Sequence, residues 1–127
     1  MTPQVPIVLS ELALLALRNA GPGVPDGERQ NELTLTAMLL GVAAEVWDGA
    51  ADNLVRENRA LAILLDDTAP EDDLKLSVLR AQNARLRGGL IAAHIAAEQA
   101  GDTAREAAIW AELIASTERR KLSISSI

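Results

Sequence analysis

Apolar residues recur through the middle of this chain at alternating steps of four and three. One stripe reads Leu33, Ala37, Leu40, Ala44, Trp47, Ala51, Leu54, Asn58, Leu61, Leu65. A second reads Leu76, Leu79, Asn83, Leu86, Leu90, Ala93, Ala97, Ala100. This is the spacing of a coiled-coil seam on a helix. One asparagine interrupts the leucine-rich part of each seam, Asn58 and Asn83, and both sit in the context Leu-x-x-x-Asn-x-x-Leu at equal distance from Pro70-Glu71. Folding the chain back at Pro70 predicts the pairs Leu65/Leu76, Leu61/Leu79, Leu54/Leu86 and Ala51/Leu90, and sets Asn58 against Asn83. A buried seam asparagine fixes register and orientation, because mispairing leaves an amide unsatisfied.

Breakers and caps divide the chain into four predicted helices, at about 7–19, 27–66, 71–100 and 103–121. The first is apolar on nearly all sides and reads as heavily buried. It stops at Gly21-Pro22-Gly23-Val24-Pro25, and Asp26 is the expected N-cap of the second helix. Gly41 and Gly49 lie inside that helix, where close approach of a neighbouring helix is the simplest explanation. Thr68 with Glu71, and Thr103 with Glu106, fit capping boxes, and Gly101 fits a helix stop. Continuing the second seam in phase through Ala104, Ala107, Ala111 and Ile114 leaves one unbroken rod as the alternative. The basic end Arg119-Arg120-Lys121 suits a helix C-terminus, and a solvated end is preferred over an interface network of Arg119 and Arg120 with Glu112 and Glu118.

The fold class expected is therefore all-α in a single domain: an antiparallel hairpin of two long helices, with two shorter helices covering its open end. The hairpin tip keeps the apolar flanks Val55, Ala62, Ile63, Leu64 and Val78. Exposed flanks of that kind predict a homodimer that completes a helical bundle.

Composition narrows the chemistry. Of 127 residues 49% are hydrophobic, but none is Phe or Tyr, and the net charge is −6. Such a chain lacks the basic face and stacking platforms that nucleic-acid binding needs. Without Cys there is no disulfide and no thiolate chemistry, which fits a reducing cytoplasm. No basic residue precedes the apolar N-terminal stretch, so it does not read as a signal peptide. The uncharged run between Glu32 and Glu45 is too short to span a bilayer, and no membrane association is expected.

Candidate chemistry is sparse. His94 is the only histidine, and the fold-back places it opposite Trp47 near Glu45 and Asp48. It lacks the companions of a metal site, since Ile91 stands where a Glu-x-x-His pair needs its carboxylate. Asp66, Asp67, Glu71, Asp72 and Asp73 read as solvated turn residues and not as a calcium loop. Trp47 and Trp110 are core or interface anchors, or else walls of a ligand pocket between helices. No cofactor motif is found: Gly88-Gly89 lacks the strand and Lys of a phosphate loop, and no nucleophilic triad can be assembled. The expectation is a non-enzymatic helical interaction protein (an adaptor, chaperone or regulator) that pairs with itself and with an unidentified protein partner. A carrier or sensor of a small apolar ligand near Trp47 and Trp110 is the alternative, and an enzyme using His94 with Glu45 or Asp48 is the third reading.

Overall fold

The computed structural model describes residues 4–19, 27–67 and 71–123. Among these residues the α-helices are α1 (Val5–Asn19), α2 (Glu28–Leu64), α3 (Leu76–Ala100) and α4 (Thr103–Arg119), each of four turns or more. The breaker at 21–25, the Asp26 cap, Thr68 and Pro70 lie outside the described residues. The chain divides into two compact units. One runs to Gly49 and includes Leu122 and Ser123; the other is Ala50–Lys121.

The break between α3 and α4 is present and follows the expected chemistry at its first half. Gly101 adopts φ 66°, a left-handed conformation that glycine takes without steric cost, and its N–H reaches back to the Glu98 carbonyl. The second half differs by one residue. Asp102, not Thr103, is the N-cap of α4, its carboxylate accepting from the Arg105 N–H at 3.0 Å.

In the Ala50–Lys121 unit, Leu61, Leu86, Leu90 and Ile109 form the core, with Ala62, Leu64, Leu65, Ala93 and Leu113 packed around them. Each fully buried aliphatic side chain there contributes roughly 1.5–3 kcal/mol. The pairing of α3 with α4 is antiparallel: Arg87 bonds Ser116, and seven residues further on His94 meets Trp110. The tip of α2 also opposes α4. Glu57 reaches Ser116 and Arg120, whereas Ile63 and Leu64 share a groove with Ala108 and Ala111.

It follows that the tip of α2 and α3 run the same way, and the individual contacts agree. Asn58 bonds Leu79 and Asn83, Leu61 packs in one cluster with Leu86 and Leu90, and the Leu65 Cδ1 lies 3.1 Å from where a Cβ on Gly89 would stand. From Asn58 to Leu65 the partner numbers rise together, from 79 and 83 to 89. In a hairpin Leu65 would sit beside Leu76, about 20 Å from Gly89 at 1.5 Å per helical residue. The expected antiparallel hairpin of helices two and three is therefore corrected to a same-direction pair, with α4 antiparallel to both.

The physical reason lies in residues 65–67 and 71–75, which pair back along the end of α2. Asp66 takes φ 53°, and the Asp67 N–H returns to the Ala62 carbonyl at 2.8 Å. Asp67 pairs with Arg85 at 2.6 Å, and Glu71 pairs with Arg59 at 2.7 Å, so the chain retraces the end of α2. Residues 71–75 are consequently not helical, and α3 starts at Leu76 and not near residue 71.

Two further expectations fail. α1 has no buried residue, although its pattern predicts heavy burial. A Cβ added to Gly41 would meet no atom within 4 Å, so no neighbouring helix approaches it closely. Close approach occurs instead at Gly89.

Candidate functional site

The centre of the Ala50–Lys121 unit is polar. Asn83 Nδ2 donates to Asn58 Oδ1 at 2.9 Å, and Asn58 Nδ2 donates to the Leu79 carbonyl at 3.1 Å. Both side chains are buried. The predicted meeting of the two amides is thus present, within a pairing of different direction.

Directly beside Asn58, Glu57 is 3% exposed. Burial of its carboxyl pushes its pKa up, but hydrogen bonds and charge from Arg87 and Arg120 outweigh that and hold it below the usual carboxylate range. Arg87 bonds Glu57 and also donates to Ser116 Oγ at 2.9 Å; Arg120 Nη2 lies 3.0 Å from each Glu57 oxygen. One residue from each of α2 and α3, with Ser116 and Arg120 from the end of α4, meet here. Heptad spacing does not reveal this cluster, because Glu57 stands next to the seam and reads as surface. Arg120 keeps half of its side chain exposed and also anchors the end of α4 to Glu57. Arg119 likewise pairs with Glu112.

His94 and Trp110 meet edge to face, with centroids 5.6 Å apart and planes at 88°. The His94 Nε2 is 3.6 Å from Glu98, longer than a hydrogen bond. Trp110 is 55% exposed, and Trp47 is 52% exposed in the other unit. An open groove of about 520 Å³ lies between α2 and α4, lined by Ala60, Ile63, Leu64, Ala108, Ala111, Glu112 and Ala115, with neither tryptophan in it. Ala104, Ala107, Ala111 and Ile114, the continuation of the second seam, are all exposed, and the buried face of α4 is instead the one carrying Ile109 and Ser116.

Acidic residues of the α2–α3 connection are spent locally: Asp67 on Arg85, Glu71 on Arg59, Asp73 on the Lys75 N–H. Among the described residues no group of three or more metal-ligating side chains gathers.

The unit that runs to Gly49 presents apolar surface. On α1, Ile7, Leu12, Leu14, Leu15 and Leu17 are exposed; on α2, Leu35, Met38, Leu39, Val46 and Trp47 are exposed, whereas Ala37 and Ala44 are buried. By length and composition alone α2 could cross a membrane: it holds an 18-residue window of mean hydropathy 1.3, of which 11% is buried. That window tolerates charges, which the count of the uncharged run does not. Comparison with protein-family models, with curated proteins and with solved structures returns no match for this chain.

Proposed function

We propose that this chain is a non-enzymatic helical interaction protein, an adaptor, chaperone or regulator that works by packing helices against a partner. The observation that carries this reading is the exposed apolar surface of α1 and α2, since contiguous exposed apolar patches mark interaction sites. A cytoplasmic setting goes with the reading, on the composition given above. The homodimer belongs to it in a narrower form. Because α4 covers Leu61 and Leu64 at the α2 tip, self-association would fall to the side of Ile63, which is 79% exposed.

The alternative, a carrier of a small apolar ligand near Trp47 and Trp110, has less support, because each indole is half exposed and the two belong to different units.

Affinity isolation of the full chain from its native host tests the proposal, using Leu35→Asp/Leu39→Asp as the comparison. A stoichiometric protein partner that the substitution removes supports it. If His94→Ala reproduces loss of the gene while Leu35→Asp/Leu39→Asp leaves the host unaffected, the proposal fails in favour of catalysis.

A further inference from the structure

We infer that the outward stripe of α2 docks a basic amphipathic helix of a partner protein. This rests on the interaction reading above and names its partner by chemistry. Leu35, Leu39, Val42 and Val46 follow one another at steps of four, three and four on the side of α2 away from buried Ala37 and Ala44, with Val42 half-buried and the other three exposed. Such spacing offers holes to the knobs of another helix, and Met38 at its edge can adapt to different side chains. Leu35 and Leu39 are 56% and 60% exposed.

Charge selects among possible occupants. Glu28 and Glu32 lie about two turns and one turn before Leu35 and, at about 100° per residue, share its face. Glu45 flanks the other end. Its carboxylate accepts from the Ser123 N–H and Oγ, each at 2.7 Å, which lowers its pKa and keeps it charged, with lone pairs left for a cation. From Glu28 to Gly49 there are four carboxylates and one cation, Arg29, about 120° round the helix from the stripe. A second copy laid on this stripe in either direction would set carboxylates against carboxylates. An anionic lipid surface repels them as well, and the uncharged run between Glu32 and Glu45 rises only about 18 Å against a hydrocarbon core of about 30 Å. A helix with Leu, Ile or Val at i, i+3/i+4 and i+7, flanked by Lys or Arg, satisfies both the stripe and its ends.

Two labelled synthetic helices of about 20 residues test this, with the same leucine stripe and either Lys or Glu on its flanks. Binding to the full chain is read by fluorescence anisotropy in about 0.1 M salt, where screening acts over about 10 Å. The Lys peptide should bind at least about tenfold more tightly than the Glu peptide. Leu35→Asp/Leu39→Asp should abolish binding without changing the circular dichroism or the melting temperature. Glu28→Lys/Glu32→Lys should invert the preference. Equal binding of both peptides, or of neither, overturns the inference. So does self-association that Leu39→Asp reverses, or binding to phosphatidylcholine–phosphatidylglycerol vesicles through the same leucines. If the peptides show no preference while Leu35→Asp/Leu39→Asp still removes a native partner, the basic helix falls and the interaction reading stands.

Discussion

Asn83 donates a hydrogen bond to Asn58 across the buried interface of α2 and α3, and Asn58 passes its own amide hydrogen to the Leu79 carbonyl. Replacing Asn58 by Leu leaves the Asn83 amide without its acceptor in an apolar site. The substitution should cost about 1–3 kcal/mol in urea unfolding. The double change Asn58→Leu/Asn83→Leu should recover much of that loss, because no buried amide remains unpaired. Additive single and double effects would show that the two amides do not depend on each other.

That contact explains why the direction of pairing is hard to read from the sequence. Asn58 and Asn83 are 25 residues apart, and they meet whether the chain folds back about Pro70 or the two segments lie side by side with that offset. One pair cannot distinguish the two arrangements. The leucines can: Leu54, Leu61 and Leu65 recur at the same offset as Leu79, Leu86 and Leu90. Leu-x-x-x-Asn-x-x-Leu reads the same way in both segments, which is a direct repeat and not a mirrored one. Much of the seam is legible, since Leu61, Leu79, Leu86, Leu90, Ala37, Ala44 and Ala97 are buried, whereas the seam positions Trp47, Ala51 and Ala100 are exposed. The placement of Asp67 and Glu71 is not legible, because their ion pairs with Arg85 and Arg59 depend on the fold already formed. The all-round apolarity of α1 suggests burial, but composition alone does not distinguish a core helix from one whose partner is another molecule.

Glu57 joins three helices through Arg87, Ser116 and Arg120, and its depressed pKa makes stability depend on acid. A carboxyl whose folded pKa lies below its unfolded value contributes stability above the unfolded value, about 4.3, and loses it as pH falls through the folded one. Stability should be flat in this contribution from about pH 8 to 6 and should decline below about pH 4.3. Glu57→Gln should lose about 1–3 kcal/mol at neutral pH, and its melting temperature should respond less to acid than that of the unsubstituted chain. An unchanged acid response would place the pH dependence elsewhere.

Gly88 and Gly89 are neighbours in α3 with different surroundings. A Cβ on Gly88 meets nothing within 4 Å, whereas one on Gly89 meets the Leu65 side chain at 3.1 Å. Gly88→Ala should raise stability by about 0.5–1 kcal/mol through helix propensity. Gly89→Ala should gain less or lose, since Leu65 must move aside. Thermal unfolding followed by circular dichroism compares them, and equal gains would mean that Leu65 does not pack over Gly89.

At Gly101 the left-handed backbone is what allows α3 to stop and α4 to begin. Gly101→Ala should cost about 1 kcal/mol, because a Cβ is strained at φ 66°. Replacement by Asn should cost less, and chemical unfolding distinguishes the two.

The same-direction packing of the α2 tip with α3 is the claim on which the account of the C-terminal unit stands, and a pair of spin-label distances measures it. The chain has no cysteine, so labels at Asn53→Cys with Val78→Cys, and at Asn53→Cys with Ile91→Cys, report only those positions, all of them exposed. With partners offset by 25 residues, Asn53 lies level with Val78, and Ile91 lies about 20 Å further along the helix axis. The 53–78 distance should therefore be the shorter of the two. A shorter 53–91 distance, as a hairpin folded at Pro70 requires, would contradict the account.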